Sequence, residues 1–294
     1  MTHVVRYETS GDVRVGVLDA GAVRPVPGVA SMGDLLALGL GDARAAVESA
    51  ADQRAVPVGE VRLLSPVDGL TEVWASGVTY ERSMDARVEE SMTQDIYTRV
   101  YLAERPELFF KSVAWRVVTD GEPIAVRPDS ALTVPEPELA AVVTATAEVF
   151  GYTVCDDVSS RDIEGENPLY LPQAKVYAGS CALAPGIRPA WEVADPAALE
   201  ISVRVVRAGA TAFEGSTSTA RMRRSVPDLV AHLVRAQDFP AGAVLSTGTG
   251  IVPGLDLTLL DGDVVEVTVE EVGTLRNPVV GVAVARSRAL AVAR

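Results

Sequence analysis

Histidine and cysteine are scarce in this chain, and their scarcity restricts the chemistry that it can carry out. The 294 residues include two histidines, His3 and His232, and two cysteines, Cys155 and Cys181. The cysteines show no CxxC or metal-ligand spacing, and a chain of this length does not need a disulfide framework, so we expect two buried free thiols. Neither histidine is near a cluster of candidate catalytic residues, so a catalytic base would be a carboxylate, a lysine or a metal-bound hydroxide.

Positive charge and long apolar runs are also lacking. Lys and Arg number 26 against 40 Asp and Glu, which gives a net charge of −14. This acidity argues against nucleic acid or an anionic membrane as a partner, because both require a positive surface. The most apolar window, 139–155, includes Glu148 and is shorter than the roughly 20 residues of a membrane-spanning helix. The first residues lack the basic and then apolar pattern of a signal peptide, so we expect a cytoplasmic protein.

The pattern of predicted elements divides the chain into a small N-terminal domain and a larger remainder. Residues 4–26 alternate in polarity between turns, which predicts short strands. Ser31 with Asp34 three residues later predicts the start of a helix over 35–50. We therefore expect an α+β domain over 1–65 and a mainly β domain over 66–294. Within the second domain the patterns predict a charged helical stretch at 79–105 and strands at 73–78, 113–118, 201–207 and 264–270.

Paired carboxylates are the most chemically informative feature. Glu136 and Glu138 are two residues apart, so in an extended strand both side chains point to the same face. Asp157 follows the next apolar run and would complete a set of three, whereas strand alternation turns Asp156 away. Hard oxygen ligands of this kind suit Mg²⁺, Mn²⁺ or Ca²⁺ better than Zn²⁺. Taken alone, the same residues could be surface charges at the edge of a strand.

Several motifs, in order along the chain, resemble the fumarylacetoacetate hydrolase family from about Val73 to Val280. They are the Glu-x-Glu pair, Asp-Val-Ser-x-Arg-Asp from Asp157, the lysine at 175, the later Thr-Gly-Thr, and Gly-Thr-Leu-x-Asn-Pro. The stretch GENPLYLPQAK that ends at Lys175 is similar to the 2-keto-3-deoxy-pentonate dehydratase branch. The resemblance implies a mixed, mainly β roll with a small N-terminal α+β domain. It also implies a homodimer or homotetramer.

The resemblance assigns roles to individual residues. Glu136, Glu138 and Asp157 would bind Mg²⁺, with Mn²⁺ or Ca²⁺ as alternatives. Lys175 and Glu107 would be the catalytic acid/base pair. The side chains expected to bind the substrate are Thr249, Lys111, Arg82, Tyr80 and Glu164. One position departs from the family pattern, because Ser83 occupies the place where the hydrolases of the family carry histidine. Arg161 and Asp162 would form a structural pair or contact the substrate.

Three main functions remain open from the sequence, and a decarboxylase or tautomerase of the same family could also use these residues. The first is Mg²⁺-dependent dehydration of a 2-keto-3-deoxy sugar acid, in which Lys175 removes a C3 proton, a metal-stabilised enolate forms, and Glu107 protonates the departing C4 hydroxyl to give a 2-oxo acid semialdehyde. The second is hydrolysis of an acylpyruvate or another β-diketone. It would need a base in place of the missing histidine, and Glu89 or Glu90 could serve. The third is non-catalytic binding of a metal or a sugar acid.

Overall fold

The computed structural model describes residues 1–90 and 94–286, without the side chains of residues 87, 89, 90, 94 and 95. Its strands are β1 (His3–Thr9), β2 (Asp12–Asp19), β3 (Ala22–Pro25), β4 (Val56–Pro57), β5 (Arg62–Leu64), β6 (Glu72–Gly77), β7 (Glu107–Val113), β8 (Ile124–Val126), β9 (Thr133–Val134), β10 (Pro137–Val143), β11 (Val149–Asp157), β12 (Ser159–Ser160), β13 (Cys181–Leu183), β14 (Gly186–Pro189), β15 (Glu200–Arg207), β16 (Ala210–Ser218), β17 (Ala243–Ser246), β18 (Val264–Val269) and β19 (Gly273–Gly281). Its α-helices are α1 (Met32–Leu36), α2 (Leu40–Glu48), α3 (Glu81–Glu90), α4 (Gln94–Leu102), α5 (Arg161–Glu166), α6 (Leu171–Lys175) and α7 (Val226–Leu233).

The longest sheet runs through both halves of the chain. Its strands follow the order β4-β3-β2-β1-β14-β11-β10-β17-β6-β7, with β5 added on β1 and β13 on β11. Neighbours in this sheet are antiparallel except β17 and β6, which run parallel. A second sheet, in the order β16-β15-β18-β19-β8, packs against it. The fold is therefore mixed and mainly β, as the sequence predicts.

Strand β10 lies at the centre of both cores. Leu139, Ala141 and Val143 point toward the second sheet. Ala140 and Val142 point the other way, into a core shared with α1 and with β1. All seven residues of β10 are buried. Because both faces of this strand are covered, a charged side chain on it must be paired, since an unpaired buried charge is costly.

The N-terminal residues form strands and helices close to those expected. Ser31 caps α1 by accepting a hydrogen bond of 3.0 Å from the backbone N–H of Asp34. The helix predicted over 35–50 is two helices, because α1 ends at Leu36 and α2 begins at Leu40. Strand β1 is hydrogen-bonded to β14, so the N-terminal strands extend the same sheet that carries β10 and β11.

The prediction of a strand at 113–118 is wrong. The strand is β7, which begins at Glu107 and ends at Val113, and residues Ala114–Arg116 form a 3-10 turn. The helical stretch predicted over 79–105 is confirmed over α3 and α4, while residues 91–93 within it lie outside the described residues. The strands predicted at 201–207 and 264–270 are confirmed by β15 and β18. Cys155 and Cys181 are buried free thiols, as expected. None of the helices in the described part of the chain has the length and apolar character that crossing a bilayer requires.

Candidate active site

Three buried carboxylates converge where β10 begins and β11 ends. Glu138 lies on β10 and Glu136 just before it, while Asp157 ends β11 and donates its backbone N–H to the Glu136 carbonyl at 3.0 Å. One oxygen from each carboxylate can be chosen so that all three lie within 4.8 Å of one another. Three hard oxygen donors at this separation fit a divalent cation such as Mg²⁺. The convergence predicted from the Glu-x-Glu spacing is therefore present.

Asp156 does not belong to this set. It points to the opposite face of β11, where its Oδ1 accepts a hydrogen bond of 2.9 Å from the backbone N–H of Glu136. Burial, partly offset by that hydrogen bond, raises the pKa of Asp156 to about 7. The hydrogen bond from Glu136 to Asp156 therefore fixes the backbone of Glu136.

Glu138 is held by the residues that follow β17. Its Oε2 accepts hydrogen bonds from the Ser246 hydroxyl at 2.5 Å and from the Gly248 backbone N–H at 2.8 Å. Gly248 has a φ of +90°, and a Cβ there would lie 2.1 Å from Thr79 Oγ1, so the position requires glycine. Burial, and after it the negative charges of Asp157 and Glu136, raises the pKa of Glu138 well above its usual range. A bound divalent cation would offset this repulsion.

Lys175 joins two of the carboxylates. Its Nζ donates to Glu136 Oε2 at 2.7 Å, to Asp157 Oδ2 at 3.0 Å and to Ser159 Oγ at 2.6 Å. The same ammonium lies 5.5 Å from the centroid of the Phe109 ring, in cation–π geometry. Its direction is therefore fixed by groups on three different elements of the fold.

The sequence predicts a substrate contact for Lys111, and the structure differs. Its side chain is 0 % exposed and does not line the cavity beside the carboxylates. Its Nζ pairs with Asp157 Oδ1 and donates to two backbone carbonyls, that of Lys175 at 2.6 Å and that of Val158 at 3.2 Å. Lys111 and Lys175 are the only lysines in the sequence, and both contact Asp157.

Arg161 contacts Glu136 and not Asp162. Its guanidinium donates to Glu136 Oε1 through Nε at 3.2 Å and Nη2 at 3.1 Å. Asp162 instead accepts from the Ser130 hydroxyl and the Ala131 backbone N–H, so the predicted Arg161–Asp162 pair is absent. Three buried cations, Lys111, Arg161 and Lys175, thus pair with two of the three carboxylates, Glu136 and Asp157, which lowers the cost of burying these charges.

A narrow cavity of about 10 Å³ lies beside the carboxylates. It is lined by Ser76, Gly77, Val78, Ser83, Glu107, Phe109, Glu136, Asp157, Glu164, Lys175, Gly248 and Thr249. Glu107, Glu164 and Thr249, all predicted from the sequence, therefore line the same cavity as Glu136 and Asp157, two of the three candidate metal ligands. A larger groove near Arg62 and Trp115 contains none of these carboxylates.

Two further predicted residues lie outside the cavity wall. Arg82 is exposed on the first turn of α3, so the structure does not bring it to the carboxylates. Tyr80 is 1 % exposed, and burial followed by the nearby charge of Glu138 raises the pKa of its hydroxyl. Ser83 does line the cavity, and its hydroxyl donates to the Tyr80 carbonyl at 2.7 Å. Glu89 and Glu90 lie outside the described side chains.

Both histidines are packed on backbone carbonyls away from this cavity. His3 Nε2 lies 2.7 Å from the Val272 carbonyl oxygen, and His232 Nδ1 lies 2.9 Å from that of Asp228. Sequence reasoning found the carboxylates and Lys175 but missed Ser246, Ser159, Phe109 and Gly77. The Thr-Gly-Thr motif was a signal for Gly248. No local pattern distinguishes Ser246 from other serines.

Comparison with known proteins agrees with this geometry. Residues 72–280 match the family described as the fumarylacetoacetate (FAA) hydrolase C-terminal region, so the chain belongs to the fumarylacetoacetate hydrolase family. It is 45 % identical over 244 residues, 82 % of either chain, to 2-dehydro-3-deoxy-D-arabinonate dehydratase of Saccharolobus solfataricus. It is 49 % identical over 214 residues, 73 % of either chain, to a probable 2-keto-3-deoxyxylonate dehydratase of Haloferax volcanii.

A solved structure extends the similarity to the fold. It is 2-keto-3-deoxy-D-arabinonate dehydratase complexed with magnesium and 2,5-dioxopentanoate. The two chains superpose with a TM-score of 0.78 at 37 % sequence identity, over 95 % of this chain and 98 % of the other. The similarity therefore covers the N-terminal strands as well as the region matched by the family.

Proposed function

We propose that this protein is a Mg²⁺-dependent dehydratase of a 2-keto-3-deoxy pentonate and produces a 2-oxo acid semialdehyde such as 2,5-dioxopentanoate. The observation that carries the proposal is the placement of Lys175 and Glu107 on one cavity with Glu136 and Asp157, two of the three buried carboxylates that converge on a candidate metal site. The similarity to two dehydratases of this substrate class supports the same reaction. The dehydratase complexed with magnesium supports the choice of ion.

The metal would be held by Glu136, Glu138 and Asp157. Their donor set is three carboxylates and no sulfur or imidazole, which suits Mg²⁺ and leaves Mn²⁺ or Ca²⁺ as possible substitutes. When bound, the ion supplies positive charge that stabilises an enolate of the substrate. Arg161 and Lys175 orient Glu136, while Ser246 and Gly248 orient Glu138, so the chain holds both ligands in place.

Lys175 and Glu107 divide the proton chemistry between them. The uncharged amine of Lys175 takes a proton from C3, and the carboxyl group of Glu107 gives a proton to the C4 hydroxyl, which leaves as water. The electron pair of the C3–H bond is first delocalised over C3, C2 and the C2 oxygen as the enolate, and it forms the C3–C4 double bond when the C4–O bond breaks. Tautomerisation then converts the C5 carbinol to the aldehyde of the product. Glu136 and Asp157, which accept hydrogen bonds from Lys175, stabilise its charged form after the transfer.

The remaining polar groups of the cavity are suited to the carboxylate and hydroxyls of a sugar acid. Thr249 and the backbone beside it lie on the wall that follows β17, and Glu164 lies on α5 across the cavity. We propose that Thr249 contacts the substrate carboxylate and that Glu164 contacts a hydroxyl. Tyr80, buried next to Glu138, would act on the substrate through that ligand rather than through direct contact.

Turnover with product identification tests the proposal. The purified protein is assayed with 2-keto-3-deoxy pentonates and, in parallel, with acylpyruvate, with and without Mg²⁺ and with chelator. Loss of one water from the sugar acid, dependent on Mg²⁺, is the expected result. Addition of water with cleavage of acylpyruvate would instead identify a hydrolase. The candidates for its catalytic base would then be Glu89, Glu90 and Glu107. Metal-dependent ligand binding without turnover of either compound would identify a non-catalytic binding protein.

We also propose that the protein works in the cytoplasm as a homodimer or homotetramer in sugar acid catabolism. Two buried cysteines without a disulfide are consistent with a reducing compartment. The oligomer is the assembly that the family resemblance implies. Light scattering coupled to size-exclusion chromatography measures the mass of the assembly directly, and a monomer at assay concentration would exclude it.

A further inference from the structure

Glu107 and Gly77 face each other across two neighbouring strands at the edge of the cavity. Gly77 ends β6, Glu107 begins β7, and the two are direct partners in the antiparallel register. A Cβ built on Gly77 would lie 2.1 Å from Glu107 Oε2, 2.7 Å from Cδ and 3.4 Å from Cγ. The side chain of Glu107 therefore lies across the Cα of Gly77, in space that any other residue would fill.

The clash is confined to one flexible side chain. The three atoms nearest to the built Cβ all belong to Glu107, and none belongs to the backbone or to the packed core. The φ of Gly77 is not in the left-handed region, so its backbone does not require glycine. The absence of a side chain at position 77 consequently admits the Glu107 carboxylate, which supplies the three atoms nearest to the built Cβ.

The backbone of Glu107 is held separately. Ser76 donates its hydroxyl to the Glu107 carbonyl at 3.0 Å, which fixes the first residue of β7 against β6. With that backbone fixed, the direction of the Glu107 side chain depends on the space above Gly77. Gly77 and Glu107 both line the cavity with Glu136, Asp157 and Lys175.

We propose that Gly77 is a positioning residue for Glu107, which holds the proton donor against the cavity by leaving space for its carboxylate. This inference rests on the proposed function only for the role of Glu107 as proton donor. Gly77→Ala removes the space and turns Glu107 away, while the metal ligands and Lys175 keep their contacts. Misplacement of a catalytic group by about 1 Å is sufficient to reduce a rate by roughly 10²-fold.

The kinetic test separates proton donation from proton removal. For Gly77→Ala we expect kcat for dehydration to fall by about 10²-fold, with KM changed less than about threefold. Exchange of the C3 protons of 2-oxopentanoate with deuterated solvent, which needs Lys175 but has no C4 hydroxyl to protonate, should stay within about threefold of wild type. In a Glu107→Gln background, Gly77→Ala should cause no further loss. A kcat of Gly77→Ala within about twofold of wild type would overturn the proposal. So would a fall in kcat on adding Gly77→Ala to Glu107→Gln that equals the fall in the wild-type background.

A stability cycle tests the same contact without any activity. Gly77→Ala should lower Tm in the wild-type background and not in a Glu107→Ala background, where the clashing atoms are gone. An equal fall in both backgrounds would overturn the inference. If Gly77→Ala alone does not fold, recovery of the folded protein by Glu107→Ala supports it, and failure to recover overturns it. Gly59→Ala is the matched control, since a Cβ there meets nothing within 4 Å.

The two hypotheses fail in different ways. If wild type dehydrates no sugar acid, the proposed function fails, and the Tm cycle still reports on the contact between positions 77 and 107. If wild type dehydrates the pentonate and the Tm cycle shows no coupling, the function stands and the role of Gly77 is wrong.

Discussion

The Lys111 ammonium donates a hydrogen bond of 2.6 Å to the backbone carbonyl of Lys175. The same group pairs with Asp157 Oδ1, while Lys175 Nζ donates to Asp157 Oδ2. One carboxylate is thus held between two lysines, and one of those lysines also fixes the backbone of the other. Strand β7 contributes Glu107, Phe109 and Lys111 at alternate positions, so a single strand carries the proposed proton donor, the ring beside Lys175 and this cross-link.

Lys111→Met should destabilise the metal-free protein by about 3–5 kcal/mol, because breaking a buried pair leaves uncompensated charge. A divalent cation can pair with the abandoned Asp157 oxygen, so Mg²⁺ should raise the Tm of the variant more than that of wild type. Urea unfolding and thermal unfolding with and without Mg²⁺ measure both effects. Arg14→Met, which removes an exposed pair with Asp12, is the control and should change stability by less than about 1 kcal/mol. If Mg²⁺ raises the Tm of Lys111→Met and of wild type by the same amount, Lys111 is not the partner that balances the charge of Asp157.

Glu138→Gln should abolish Mg²⁺ binding and dehydration while leaving the fold intact. The amide oxygen can still accept from Ser246 and Gly248, so the buried hydrogen bonds survive, whereas the charge that binds the cation is lost. Loss of at least about 10²-fold in turnover is expected, together with loss of the calorimetric signal for Mg²⁺. Glu214→Gln changes an exposed glutamate and should leave both measurements unaltered. Retained Mg²⁺ affinity in Glu138→Gln would remove this residue from the ligand set.

Lys175→Met should retain Mg²⁺ binding and lose proton exchange at C3. The variant keeps all three carboxylates and removes the amine proposed to accept the proton. Deuterium incorporation into 2-oxopentanoate, followed by NMR, should fall by at least about 10²-fold. Since the sequence has two lysines, protein labelled with ¹⁵N-lysine identifies each ammonium signal by its disappearance in one of the two methionine variants. Full turnover by Lys175→Met would show that the assigned base is wrong.

The pKa of Asp156 predicts how the stability of the metal-free protein depends on pH. Its folded pKa of about 7 lies above 3.8, the ordinary pKa of an aspartate, so the folded state binds the proton more tightly. The stabilisation is complete below the unfolded pKa and is lost as pH rises from about 4 through 7. Asp156→Asn keeps the acceptor for the Glu136 N–H and has no proton to lose.

Relative to wild type, Asp156→Asn should therefore gain stability across that pH window, by an amount on the order of 4 kcal/mol. Urea unfolding in chelator at several pH values measures the difference. Asp52→Asn, at an exposed position, should follow wild type throughout. If the free energies of unfolding of Asp156→Asn and wild type differ by the same amount at every pH in that window, Asp156 is already ionised in the folded state at low pH.

Alternation along the chain predicted which carboxylates share a face, and the family resemblance was needed to interpret them as metal ligands. Glu136 and Glu138 share a face because they are two residues apart, and Asp156 points away for the same reason. Strands β15 and β18 were predictable because one face of each is apolar. These features depend on residues close in sequence, so a local pattern reports them directly.

The same reasoning failed where the buried face of a strand is polar. Strand β7 directs Glu107, Phe109 and Lys111 toward the site, so its pattern is not that of an apolar core strand, and the predicted strand was placed six residues too late. The role of Lys111 was misassigned because its partners, Asp157, Val158 and Lys175, are 46 to 64 residues away in sequence. Ser246 likewise reaches Glu138 across 108 residues. Contacts of that range depend on sheet order, which no local pattern contains.

The confinement of both lysines to the buried site makes the protein unusually simple to label. Reagents that acylate amines find no other lysine in the sequence, and Lys111 and Lys175 are 0 % and 2 % exposed. Acylation of either lysine therefore requires the site to open. Because the exposed α-amine of Met1 also reacts, the mass added by a brief pulse of reagent is read on the peptides that contain Lys111 and Lys175. That mass would count openings of this one region, and its suppression by Mg²⁺ would measure how firmly the ion keeps the region closed.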